Sequence, residues 1–354
     1  MRPPFVLFVT AGLLMINLAM SAAPAPENGL VERRLATMGT SLNLTIESSS
    51  RDEALRASEE AIQAIEETGK RLTTWKDGGE LALLNRSPVG VALNLDDELS
   101  QVLPLVFDWS ERTLGAFDPA IAPLVMAWDL RGAGRIPPPS EIENARIASR
   151  PDSFRLDHGA RTLTRLRADA ALEEGAWGKG WALDRAARRL EKAGARRALI
   201  DLGGQILATG GEPWNVDVAD PFDRTRPVAS FPLRNGSAST SGNSERARVV
   251  GGFRVGHILD PRTGMPATDF GSVTVAAGSA LTADVLSTAL FVLGPGEGMC
   301  LFGRLRSEGV EFEVLFLIDR GGSLDAIGSK ALVESLERID RSRVSRIEIL
   351  PEKP

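Results

Sequence analysis

This chain of 354 residues contains one cysteine, two histidines and no tyrosine. The single cysteine, Cys300, cannot form an internal disulfide, and its apolar neighbours predict a buried, inert thiol. With only His158 and His257 beside it, the clusters that make a zinc site are missing. The absence of tyrosine has no physical account in the sequence. Basic runs are lacking too. The 41 Lys and Arg against 47 Asp and Glu give a formal charge of −6. That balance argues against nucleic acid or an anionic membrane surface as partner. No long biased linker and no internal repeat divides the chain. What remains is ordinary globular composition, 43% hydrophobic and 25% charged, with strands and helices interspersed without strict alternation. The expected fold class is α+β: mixed sheets flanked by helices, in a single domain.

The N-terminus reads as a secretory signal peptide over residues 1–23. Arg2 precedes the apolar run Phe5–Met20, and Ser21-Ala22-Ala23 supplies small residues for cleavage. The run is short for a membrane span, though an uncleaved anchor over residues 5–20 is the alternative. No cysteine lies near the cleavage point, which excludes a lipoprotein anchor. Residues 24–34 read as a tether, 35–328 as the domain and 329–354 as a charged, peripheral C-terminal extension. The expected location is outside the cytoplasmic membrane, in the periplasm.

Along the domain, alternation at Leu42, Leu44 and Ile46 predicts a strand just after Met38-Gly39-Thr40. Helices are expected over 52–72 and 99–113, the second with Pro104 in its first turn or at a kink. Trp75 follows the first helix in a loop. Residues 154–156 and 162–164 form a predicted hairpin, which leaves His158 in a solvent-facing turn. A helix is expected from Trp181 on, and strands over 198–202, 214–218, 272–276 and 314–318. Gly203-Gly204 reads as a turn and 130–140 as an exposed loop.

The stretch from Gly256 to Leu290 organises the rest. His257–Leu259 predicts a short strand, closed by a turn through Pro261 and Gly264. A helix follows, with Thr282 as expected N-cap. On it Asp284 and Thr288 stand four apart and share a face, so they could offer two oxygens to one hard cation such as Mg²⁺. Spacing alone favours the plainer reading, an Asp favoured by the helix dipole and a Thr bonded back to a carbonyl.

Five motifs occur in order over roughly residues 35–325. They are Met38-Gly39-Thr40; Trp75; Ala116-Phe117-Asp118-Pro119; Gly175 to Asp184, containing Gly178-Lys179-Gly180; and His257-Ile258-Leu259-Asp260-Pro261-Arg262-Thr263-Gly264 followed by Ala283 to Leu290. Together they closely resemble the signature of the FAD:protein FMN transferase family, the ApbE family. The resemblance implies a Mg²⁺-dependent enzyme for flavoprotein maturation. It would move the FMN part of FAD to a Thr or Ser hydroxyl of an acceptor flavoprotein, a subunit of a redox complex, and release AMP. Implied FAD contacts are Met38, Trp75, Ala116, Phe117, Asp118, Glu173, Lys179 and His257. Implied Mg²⁺ ligands are the Ala176 carbonyl, Asp284 and Thr288. His257 and Asp284 are the implied catalytic residues, and His257 is the better base because a metal-bound carboxylate is a poor one.

Two departures stand out. Where the family has Asp-Leu-Gly-Gly, this chain has Glu173-Glu174-Gly175-Ala176, and Ala120 replaces a threonine after Asp118-Pro119. The Glu173-Glu174 segment keeps open an FAD pyrophosphatase giving FMN and AMP, or an FAD carrier without turnover.

Overall fold

The computed structural model describes residues 29–75, 78–243, 248–250 and 252–350. The expected signal segment lies outside the described residues. A nine-stranded sheet forms the middle layer. Its strands, in spatial order, are Leu30–Thr37, Thr40–Glu47, Arg197–Leu202, Gln205–Gly210, Gly236–Gly242, Gly271–Ala277, Phe312–Asp319, Leu324–Gly328 and Val344–Ile349. All neighbours are antiparallel except the last pair, which is parallel. The α+β expectation holds.

Eight helices are present among the described residues: α1 (Arg51–Leu72), α2 (Glu80–Asn85), α3 (Leu99–Arg112), α4 (Ala122–Ala127), α5 (Pro139–Ala148), α6 (Gly178–Lys192), α7 (Ala280–Ser307) and α8 (Lys330–Glu334). Strand side chains alternate between faces, and the strand Phe312–Asp319 shows the consequence. Val314 and Phe316 join the core under α7, while Leu315 and Leu317 join a second core on the other face. That second core is closed by the hairpin of Trp214–Asp220 and Asp223–Leu233. Further along the sheet, α1 and α6 cover Leu42, Leu44, Ile46, Ala198 and Ile200.

α1 starts at Ser50, whose side chain accepts the Glu53 N–H, and carries Asp52 and Glu53 in its first turn. Both features suit a helix N-terminus. α7 is apolar nearly all round because it is core: Ala283, Val285, Leu286, Ala289, Leu290 and Phe291 are fully buried. It breaks at Gly294, φ 69°, where Pro295 restarts the helix.

Several expectations need correction. The first strand begins at Leu30, so residues 30–34 pair with the next strand rather than form a tether. The C-terminal segment is not peripheral: Val344–Ile349 is the ninth strand, and Leu332, Val344 and Leu350 are buried. Its charged residues sit on the outer side of an edge strand, which hid the apolar contacts from a compositional reading. Cys300 is exposed, since past Gly294 the buried face of α7 is Gly298, Leu301 and Leu305. Pro104 stands in the second turn of α3, which continues through it. α5 begins inside the Pro-rich loop. α6 starts at Gly178, before Trp181, and α7 is capped by Ser279, not Thr282. The strand expected at His257–Leu259 is a two-residue strand, Leu259–Asp260, paired with Met265–Pro266.

Candidate active site at the crossing of α6 and α7

The sequence Lys179-Gly180 sits where two helix N-termini meet. A Cβ on Gly180 would lie 2.4 Å from the Ala280 carbonyl oxygen and 2.7 Å from the Leu281 Cα. Only glycine permits that approach. The contact brings a carboxylate from each helix to the start of the other. Asp184 accepts the Ala280 and Leu281 N–H groups at 2.6 and 3.0 Å and the Ser279 hydroxyl at 2.7 Å. Asp284 accepts the Gly180 N–H at 2.9 Å through Oδ2, and its Oδ1 lies 3.2 Å from the Lys179 ammonium. Each carboxylate thus meets the positive end of the opposing helix dipole. Asp284 is 3% exposed, so this is a buried charge held by a cation and a backbone donor.

The dipole reading of Asp284 within its own helix does not hold, because the first turn of α7 carries no acid. The back-bonding of Thr288 does hold: its hydroxyl donates to the Asp284 carbonyl at 3.2 Å. That leaves the lone pairs of Thr288 Oγ1 for a ligand. The Gly180 N–H goes to Asp284 rather than to the Ala176 carbonyl four residues earlier.

Beside α7, Ser287 bonds to Ser239 and Ser241 of the strand Gly236–Gly242, at 3.1 and 3.0 Å. Asn243 follows that strand. A Cβ on Gly256 would fall within 2.7 Å of the Asn243 side chain, so the two segments touch. His257, half-buried, is thereby fixed beyond the strand end. The turn after it is anchored by Trp128, whose Nε1 donates to the Gly264 carbonyl at 2.8 Å. Gly264, φ 74°, could not carry a Cβ without meeting Ile142 at 2.7 Å.

A second wall is made of loops. Glu173 is placed by its N–H, which donates to the Pro119 carbonyl at 2.8 Å. Asn85 clamps Leu172 through two bonds of 2.7 and 2.9 Å. Thr74 donates to Glu174 Oε2 at 2.8 Å. Arg131 donates to Thr74 at 2.5 Å, pairs with Glu173, and lies 5.3 Å from the ring centre of Trp75. Trp75 is 53% exposed. Burial and the neighbouring Glu173 push the Glu174 carboxyl up to about 7. Asp118, whose Oδ1 accepts the Ala120 N–H at 2.8 Å, is pushed by burial up to about 8. It is therefore both a turn former and a carboxyl that favours its neutral form.

Ala116 and Phe117 are 1% and 2% exposed and belong to the core, which leaves only their backbones for a ligand. Met38, φ 48°, occupies a two-residue turn with Gly39 and packs on Gly69 of α1. His158 lies in an exposed turn, as expected. A depression of about 750 Å³ on the outer side of α1 and α6 is lined by Arg56, Glu59, Glu60, Arg189 and Lys192. None of the candidate site residues lines it.

Sequence reasoning missed Arg131, Thr74, Asn243 and the role of Asp184. Asp184 had a signal, standing four residues after Gly180 with Ser279-Ala280 waiting to be capped. Arg131 had none, since it lies in a loop rich in glycine and proline.

The pairing of Lys179 with the buried Asp284 at two crossing helix N-termini defines a single-domain protein with a site suited to an anionic ligand. The chain matches the ApbE family over residues 38–312 and belongs to it. A FAD:protein FMN transferase of Klebsiella pneumoniae is 31% identical over 290 residues, covering 77% of this chain and 81% of that protein. The ApbE protein of Thermotoga maritima superposes with a TM-score of 0.74 at 26% identity, covering 88% of this chain and 97% of that one. The flavinyl transferase ApbE of Pseudomonas stutzeri gives 0.74 at 25%, covering 87% and 97%. The chain is thus an enzyme of the transferase class.

Proposed function

We propose that this chain transfers the FMN moiety of FAD to a Thr or Ser hydroxyl of an acceptor flavoprotein and releases AMP. The observation that carries the reading is the Lys179–Asp284 pair, 3.2 Å apart, at the meeting of two helix N-termini. A pyrophosphate needs cationic and N–H partners, and this crossing concentrates both.

The residues present fit Mg²⁺. Asp284, Thr288 and the Ala176 carbonyl are hard oxygen donors, and no group of three or more His, Cys, Asp or Glu forms a cage among the described residues. A single carboxylate completed by substrate phosphates is the usual way Mg²⁺ is held. The Lys179 ammonium on Asp284 already marks where positive charge is favoured. When bound, the ion would offset the charge that develops on the departing AMP. Lys179 would turn to the pyrophosphate, and Trp75 and Met38 would offer apolar surface to a flat ring. His257 would take the proton of the acceptor hydroxyl. The hydroxyl oxygen then bonds to the FMN-side phosphorus, and the bond to AMP breaks.

The signal-like N-terminus supports acceptors with domains outside the cytoplasmic membrane, such as flavoprotein subunits of redox complexes. The test is incubation with FAD, Mg²⁺ and a Thr-containing acceptor domain, with mass analysis of protein and nucleotide. FMN on the acceptor together with AMP is expected. Free FMN and AMP would make the chain a pyrophosphatase, and unchanged FAD with every acceptor tried would make it a carrier.

A further inference from the structure

The departures Glu173 and Glu174 put two adjacent carboxylates against the wall where the flavin reading places an anionic dinucleotide. Glu174 is 5% exposed, and its Oε1 finds no hydrogen-bond partner among the described residues. Glu173 lies next to it in the chain, and its side chain is only 12% exposed. The cation beside it is Arg131, from the loop after α4. The same guanidinium lies over the Trp75 ring and donates to Thr74, which in turn donates to Glu174. One side chain therefore ties together both departures and the exposed ring.

We propose that Arg131 is a positioning residue for FAD: it neutralises Glu173 and holds Trp75, so that this wall accepts a dinucleotide despite carrying two carboxylates. The inference rests on the flavin-transfer reading. Arg131 is itself well exposed, with 39% of its side chain accessible, so water screens its pairing with the less exposed Glu173 and limits what the pair adds to stability. Its effect belongs to ligand binding. Without Arg131, Glu173 would face the FAD phosphates as an uncompensated charge, and like charges in a partly desolvated wall repel.

The test is FAD binding by the full chain, titrated with Mg²⁺ present, for wild type, Arg131→Gln and the double variant Arg131→Gln with Glu173→Gln. Arg131→Gln should raise the FAD Kd about tenfold, with unchanged Tm and little change in kcat. Adding Glu173→Gln should bring Kd back to within about threefold of wild type, a charge rescue that a merely structural arginine would not show. An unchanged Kd in Arg131→Gln, or a double variant as weak as the single one, would overturn the proposal. Wild-type protein that binds no FAD would instead overturn the flavin reading. The Arg131–Trp75 contact is read without flavin: Arg131→Gln should increase acrylamide quenching of tryptophan emission, and Trp75→Phe should abolish that increase. No increase would also count against Arg131.

Discussion

The two walls of the site are built on opposite principles. At the α6–α7 crossing the two carboxylates are largely buried and each is held by more than one partner. Asp184 and Asp284 cap each other's helices, and Gly180 keeps the axes close. At the Trp75 wall the partners are loop residues joined through one arginine, and Arg131 and Trp75 are open to water. Rigid, desolvated charges suit a step in which charge must be met in a fixed place. Exposed, adjustable contacts suit recognition, where affinity can vary without disturbing chemistry. Substitutions at the crossing should therefore remove turnover, and substitutions at the loop wall should mainly change affinity.

The sharpest way to break that contrast is Asp284→Ala. We expect loss of turnover on the order of 10³-fold, the upper range for one preorganised electrostatic group, while FAD still binds at the Trp75 wall. Equal losses in affinity and rate would erase the distinction. His257→Ala should come next, with a rate loss of about 10²-fold and little change in FAD affinity, because a base acts on the acceptor. A variant keeping most of its rate would leave the histidine a structural role.

Gly180→Ala tests the crossing itself. Its Cβ would meet backbone atoms of α7 at 2.4 and 2.7 Å, which cannot rotate away. Overpacking of this kind costs about 1–3 kcal/mol, so thermal denaturation should show a lowered Tm. An unchanged Tm would mean that the helices part easily and that the crossing is not rigid.

The smallest effect is a pH dependence from the loop wall. The Glu174 carboxyl titrates at about 7 in the fold, against an ordinary value of 4.5. The folded state holds this proton more tightly than the unfolded chain. Stability contributed by the neutral form is thus present at low pH and lost as pH rises from about 4.5 through about 7, and it levels off above. Glu174→Gln should flatten the fall in Tm between those limits. Parallel curves for the two proteins would show that Glu174 does not titrate there.

Much of this was legible in the sequence. The alternation of Leu42, Leu44 and Ile46 and the stripe of α1 gave the sheet and its cover, because burial on one face leaves a period. The two residues that matter most at the crossing, Lys179 and Asp284, lay in motifs quoted from the sequence. Their contact did not, since nothing in either segment states that Gly180 touches Ala280. The start of α7 was misplaced by three residues because its cap is shared: Ser279 is held by Asp184, 95 residues away. The ninth strand was missed because an edge strand needs few apolar residues. Arg131 was invisible because an exposed arginine in an irregular loop has no pattern to betray a partner 42 residues on.

The central claim is that Asp284 holds the metal-dependent chemistry at the crossing, and FMN transfer measured against Mg²⁺ concentration tests it most directly. The comparison is between wild type, Thr288→Val and Asp284→Ala. Thr288→Val loses one neutral oxygen and should be rescued in part by more Mg²⁺, whereas Asp284→Ala loses the only formal negative charge among the donors and should stay inactive at any concentration. An Asp284→Ala curve that overlays the wild-type curve would contradict the account and place the metal elsewhere.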